Sequence, residues 1–345
     1  MTGADCCEET ALIPNALKVA AQSVAVQSLT RLPVATLSVV IMSVAMMSPA
    51  AFAADVQPAV RAQAGPLPAG AERVIVPALG TAPSVALPAL WFPPPQDARR
   101  GPYQMPAIVL YHGCAGGFYP SGKLNARFAN MAQRLTAQGY GVLIPDSFGP
   151  RGYRSICSIA LSQRPIGMRE RVRDAYAALH YLAARNDVDR DRIGMIGFSH
   201  GAMTVLNASD RNFSGGTSPG ASQARYAGAV AFYPGCGTTL RRTTEFVTQW
   251  PVLILIGEKD DWTFPQACQR LARQAAARDQ PVSIVTYPGA YHGFDMTQPP
   301  TLRTDVKRSR NPEGVHVGGD PAARADAYRR VDAFFRDLIG PSAQR

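Results

Sequence analysis

Charge and histidine are both scarce in this 345-residue chain: 17% of its residues are Asp, Glu, Lys or Arg, and five are His. Glycine, at 30 residues, follows no three-residue period, and neither an internal repeat nor a low-complexity tract is present. A collagen-like or intrinsically disordered chain is thereby excluded. No two cysteines have the C-x-x-C spacing of a zinc site or a dithiol redox motif, so no metal is expected. Neither G-x-G-x-x-G nor a Walker pattern occurs, and no cofactor is called for. Bases outnumber acids by 35 to 25 but are spread along the chain. Their one local cluster, Arg303, Lys307, Arg308 and Arg310, is not interleaved with aromatics, so nucleic acid is not an expected partner.

Charge is missing altogether from Leu32 to Ala54, a stretch that follows Arg31 and ends in Ala51-Phe52-Ala53. A positive flank, an apolar segment and a small-x-small site have the form of a secretory leader, with residues 1–53 removed near Ala53. A retained anchor helix is the alternative, because twenty-odd apolar residues could span a bilayer. Pro33 and Pro49 suit a processed leader better than a stable span. Cleavage removes three acids (Asp5, Glu8, Glu9) and two bases (Lys18, Arg31), raising the formal charge of +10 by one. The expected product is periplasmic or secreted, without stable membrane insertion. Cys6 and Cys7 leave with the leader, and Cys114, Cys157, Cys236 and Cys268 remain. Four cysteines in an exported protein permit two disulfides in three connectivities, with four buried thiols as the alternative.

Residues 54–70, rich in Ala, Pro and Gly, are expected to be a flexible mature N-terminus, ahead of a single domain over 71–345. Order is expected to begin around Val74 to Val76 and to turn a Pro-rich corner at Phe92 to Pro95. Apolar runs follow at 107–111, 140–144, 193–198, 227–232, 252–256 and 282–287, most of them continuous rather than alternating. Such runs are what strands covered on both faces require. Between them lie helical spacings: Leu124, Phe128, Met131, Leu135; then Val172, Ala175, Leu179, Leu182; and finally Ala327, Val331, Phe334, Leu338. Strand and helix in alternation imply an α/β fold, a mostly parallel sheet with helices on both faces.

The run at 193–198 enters Gly197-Phe198-Ser199-His200-Gly201, followed by a small-residue helical stretch. G-x-S-x-G is a weak signal alone, but at a strand-to-helix turn it has a mechanical meaning. The central residue is forced into a strained conformation, and the flanking glycines remove side chains that would collide there. Ser199 is then raised at a helix N-terminus, where amides and dipole favour developing negative charge. A serine hydroxyl needs a base, and imidazole has a suitable pKa. Of five histidines, His112 ends the first core strand, His180 lies in a helical spacing, His200 adjoins Ser199 and His316 precedes the last helix. His292, in the loop after the run at 282–287, is left at the same sheet edge as Ser199. A carboxylate must orient that base, and Glu258, Asp260 and Asp261 compete after the run at 252–256; Asp260 is chosen, with Asp261 next. The oxyanion donors are expected to be the N–H of His200 and that of Cys114 in the loop His112-Gly113-Cys114-Ala115-Gly116-Gly117, with Ala115 in reserve.

HGCAGG, PDSFGPRG followed by Cys157, GFSHG, YPGCG, LILIGEKDDW and YHGF, in this order, resemble the dienelactone hydrolase family of the α/β-hydrolases over about residues 85–340. The resemblance implies an eight-stranded, mostly parallel sheet, no metal, and attack on a small-molecule carboxylic ester or lactone through an acyl-enzyme. Ser199, Asp260 and His292 stand where the family's nucleophile, acid and base stand. The best-known members use Cys as nucleophile, so Ser199 puts dienelactone itself in doubt as substrate. Family-like placement also implies pairing of Cys114 with Cys157 and of Cys236 with Cys268. Tyr119, Arg151 and Trp262 flank the motifs as pocket-lining candidates. Two other readings stand beside this one: a peptidase-like hydrolase, and a non-catalytic binding protein on a hydrolase scaffold. A membrane-tethered esterase is the variant with an uncleaved leader. Neither substrate nor oligomeric state is legible in the sequence.

Overall fold

The computed structural model describes residues 65–79, 85–96, 104–213, 224–243, 245–306 and 311–340. The expected leader, its cleavage site, most of the stretch 54–70, and Lys307, Arg308 and Arg310 lie outside these residues. Eight strands form one sheet: β1 (Glu72–Val76), β2 (Leu87–Phe92), β3 (Met105–Tyr111), β4 (Gly141–Pro145), β5 (Val188–Phe198), β6 (Gly228–Phe232), β7 (Val252–Gly257) and β8 (Val282–Tyr287). Their order is β1-β2-β4-β3-β5-β6-β7-β8. From β4 to β8 every pairing is parallel, whereas β1 and β2 run antiparallel. β2 was not anticipated: its LPALWF run abuts the Pro-rich corner and contains Pro88. It nonetheless pairs on both sides, with Ile75 opposite Pro88.

Among the described residues, six helices of four residues or more connect or cover the strands: α1 (Ala126–Thr136), α2 (Met168–Ala183), α3 (His200–Ser209), α4 (Cys236–Arg242), α5 (Pro265–Ala276) and α6 (Pro321–Ile339). β3 to β7 are buried along almost their whole apolar length, because helices cover both faces. β8 departs from this, with a half-buried pattern that fits its place at the sheet edge. α1 starts later than the spacing indicates: Leu124 is buried ahead of it, and Asn125 caps it by accepting the Arg127 N–H. On α6 the buried stripe is Ala323, Ala327, Val331, Phe335 and Ile339, while Leu338 is exposed. The expected Phe334 and Leu338 fall one position out of phase, because a run of apolar residues at 334, 335, 338 and 339 satisfies two adjacent stripes.

β8 is also not the last strand. β9 (Thr301–Arg303) and β10 (Val315–Val317) form a separate antiparallel pair. This pair leans on the loop after β8, where Val317 bridges His292 and the Gly318 N–H donates to His292 O at 2.9 Å. Two disulfides, Cys114–Cys157 and Cys236–Cys268, pin the loops after β3 and β6, as the family placement implied. Each closes a loop of 43 or 32 residues, worth about 3–4 kcal/mol in the chain-entropy picture. No helix among the described residues is long and apolar enough to cross a membrane.

Candidate active site

At the carboxyl edge of the sheet, β5 turns into α3 through Ser199, whose φ of 53° is a strained value for a residue with a side chain. The flanking glycines are required by close approach: a Cβ on Gly197 would lie 2.2 Å from Gly201 O, and one on Gly201 would lie 2.1 Å from Tyr111 O. The turn is held by the Ser199 N–H donating to Phe232 O at 2.9 Å.

β7 and β8 supply the other two groups. The Asp260 carboxylate, 2% exposed, accepts from the Trp262 N–H at 3.0 Å, the Thr263 N–H at 2.8 Å and the Thr263 hydroxyl at 2.8 Å. It also lies 2.8 Å from Nδ1 of His292. Burial would raise the Asp260 pKa, but the facing His292 and the Thr263 hydrogen bonds outweigh it and hold the carboxyl below its ordinary value. An ionised carboxylate only accepts, so Nδ1 of His292 carries the proton and Nε2 is left as an acceptor. Nε2 lies 3.0 Å from Ser199 Oγ. The imidazole is fixed between Trp262 and Tyr233, with ring centroids at 4.7 and 4.6 Å.

A strained serine, an imidazole and a buried carboxylate are thus hydrogen-bonded in series at one sheet edge. The family model of the dienelactone hydrolase family matches residues 95–339. The chain belongs to that family. Among curated proteins it is 22% identical over 196 residues to a "Probable 2-oxo-3-(5-oxofuran-2-ylidene)propanoate lactonase" of Bradyrhizobium sp, covering 55% of this chain and 74% of that one. It is 26% identical over 156 residues to "Acylamino-acid-releasing enzyme 1" of Oryza sativa subsp. japonica, 45% of this chain but 18% of the rice enzyme. The chain therefore spans less than a fifth of that relative's length. Among solved structures, the "Dienelactone Hydrolase-like Promiscuous Phospotriesterase P91 from Metagenomic Libraries" superposes with a TM-score of 0.55 at 20% identity, over 78% of this chain and 98% of that one. The eight-stranded α/β-hydrolase fold agrees with these matches.

Two cavities flank Ser199. One, of about 340 Å³, is lined by Leu161, Arg164, Met203, Arg241, Trp262 and Phe264 among others. The second, about 130 Å³, lies towards Arg127, Tyr233, His292 and Arg303. Of the expected lining residues, Trp262 borders both cavities. Arg151 borders neither, because its guanidinium is committed to a two-pronged pairing with Asp174 at 2.8 and 2.9 Å. Tyr119, 41% exposed, opens instead onto a separate cavity beside Asn130, Asp295 and Arg324. Cys114 borders both cavities at Ser199, and the His200 N–H stands in the first turn of α3, where no intrahelical carbonyl is available.

Several cavity residues carried no sequence signal. Arg127 and Arg241 sit within helices, distinguishable from solvent-facing arginines only by three-dimensional packing. Arg127 donates to the Tyr233 hydroxyl at 2.9 Å and pairs with Asp295 at 3.1 Å. Tyr233 has φ of 41° and directly precedes Pro234-Gly235, a punctuation that could have marked it. Asp261, the runner-up acid, is turned away from His292 and lies 2.7 Å from Nδ1 of His316.

Proposed function

We propose that this protein is a serine hydrolase that cleaves a carboxylic ester or lactone through an acyl-enzyme. In this reading Ser199 attacks the carbonyl carbon while Nε2 of His292 takes the hydroxyl proton. Asp260 holds the tautomer and faces the imidazolium that forms. The tetrahedral oxyanion is met by the N–H groups of His200 and Cys114, the latter tied down by the disulfide to Cys157. Collapse expels the alcohol, which receives its proton from His292; water then attacks the acyl-enzyme by the same route and regenerates Ser199.

The observation that carries this reading is the unbroken series from Asp260 through His292 to Ser199, at 2.8 and 3.0 Å, on a backbone strained at the serine. The family membership and the lactonase relative support the ester or lactone bond as the target. The cavities contain Trp262, Phe264, Leu161 and Met203, which supports a substrate with an apolar portion. Export is part of the proposal: two buried disulfides suit an oxidising compartment, and the leader-like segment suits delivery to it. Ser199→Ala is expected to lower hydrolysis of a short p-nitrophenyl ester at least about a thousandfold with an unchanged circular-dichroism spectrum. Retention of the rate would refute the assignment.

A further inference from the structure

Beneath the loop that follows β3 lies a fully buried cation, Arg171 of α2. Burial lowers its pKa to about 10, partly opposed by Asp174, so it remains charged at neutral pH. Asp174 is itself taken by Arg151. The hydrogen-bond partners of Arg171 are of another kind. Nη2 donates to His112 O at 2.6 Å, Nη1 faces His112 Nε2 at 3.2 Å, and Nε donates to Thr204 Oγ1 at 3.1 Å. Thr204 in turn donates to His200 O at 3.1 Å. One guanidinium therefore touches both segments from which the oxyanion donors come. A buried charge without its own carboxylate costs several kcal/mol, which makes a purely space-filling role hard to sustain.

His112, 0% exposed, completes the connection. Its Nε2 accepts from the Ser147 N–H at 3.2 Å as well as facing Arg171, so this nitrogen carries no proton. The proton must be on Nδ1, which lies 2.9 Å from Gly113 O. That carbonyl belongs to the same peptide unit as the Cys114 N–H, and in a trans peptide the two point in opposite directions. A hydrogen bond into the carbonyl fixes the plane of the unit and polarises its N–H. Gly113 packs directly against the nucleophile, since a Cβ there would lie 3.4 Å from Ser199 Cβ.

We propose that Arg171 and His112 are positioning residues that act in series, Arg171 setting the His112 tautomer and His112 anchoring the 113–114 peptide so that its N–H faces the oxyanion. The inference rests on the oxyanion reading given above. It also gives a purpose to a histidine excluded as the base. The groups facing the His112 ring are Arg171, Asp146 at 3.9 Å, Phe148, and the more distant Arg151 and His200. Burial, then Arg171, hold the imidazole neutral, well below its ordinary pKa.

Nitrogen NMR of the ¹⁵N-histidine-labelled mature protein should show His112 as a neutral Nδ1–H tautomer that does not titrate between pH 5 and 9. An Nε2–H tautomer, or titration in that range, would overturn the proposal without any variant being made. His112→Ala is expected to reduce kcat for a p-nitrophenyl ester about 10- to 100-fold with KM within about threefold, as for loss of part of an oxyanion hole. His112→Asn, whose amide can still donate to Gly113 O, should recover most of that loss, and Arg171→Gln should show the same kcat-selective defect. If Ser199→Ala is inactive while His112→Ala keeps the native kcat, the relay alone is wrong. If Ser199→Ala keeps its activity, the hydrolase reading beneath it is wrong.

Discussion

Two adjacent aspartates at the end of β7 each hold a histidine, and the two pairs are chemically alike but differently placed. Asp260 meets His292 at 2.8 Å with both side chains almost fully buried, whereas Asp261 meets His316 at 2.7 Å with 24% and 42% of their side-chain surfaces exposed. Distance does not separate them; surroundings do. In water a pair of this kind is screened and contributes about 0–1 kcal/mol. Buried beside a strained hydroxyl, the same pair fixes the His292 tautomer and, in the proposed mechanism, faces the developing imidazolium. The exposed pair ties β10 to the acid loop, with the His316 N–H donating to Asp261 Oδ1 at 2.9 Å and Asn311 reaching Asp261 O at 2.7 Å. An Asp-His contact is therefore no sign of catalysis until its burial and its third partner are known.

Substitutions can break this comparison. Asp260→Asn should cost about 10³–10⁴ in kcat for a p-nitrophenyl ester, because an amide favours the wrong His292 tautomer; equal effects of Asp260→Asn and Asp261→Asn would abolish the distinction. Asp261→Asn should cost less than about tenfold, through loosening of the 311–318 segment that bridges to His292, and steady-state kinetics would read it. His316→Ala should be milder still, within about threefold in kcat/KM and about 1 kcal/mol in stability by urea denaturation.

Acid sensitivity sharpens the part that burial plays, at the two buried imidazoles of His112 and His200. Burial, reinforced by Arg171, lowers the pKa of both His112 and His200 in the fold, while in the unfolded chain they protonate near 6.5. Below that value the unfolded state binds more protons, so their contribution to stability is complete above about pH 6.5 and lost as pH falls. Each should add up to about 1.4 kcal/mol per pH unit to the slope of stability. Asp260, with its pKa depressed, contributes stability that is lost only at more acid pH, as the pH falls through its folded value. Denaturation measured from pH 7 to 5 should show this decline. A flat profile would mean that the buried imidazoles take up protons without penalty.

Much of the scaffold was legible because apolar continuity is a local property. The parallel strands β3 to β8 could each be recognised from runs such as AIVLY and VLILI, and α1 and α2 from their three- and four-residue spacings. β2 escaped because Pro88 and the adjoining prolines mimic a corner, and a strand that borders the antiparallel end tolerates them. At the site, glycine at 197 and 201 made the turn at Ser199 visible before any coordinates. Arg127, Arg241 and Arg171 left no trace, since a helical arginine looks the same whether it meets water, a cavity or a buried carbonyl.

By itself, the order of strands, helices and glycine-bracketed turns dictated an α/β chain with a serine raised at a strand end and a histidine loop on the same edge. The tertiary structure decided which aspartate meets which histidine, that Arg151 turns to Asp174 rather than to the cavity, and that Arg171 and His112 stand under the β3 loop. These choices depend on the direction in which a side chain leaves its backbone when segments 23 to 59 residues apart in the chain pack together. Residue spacing along one segment cannot encode them.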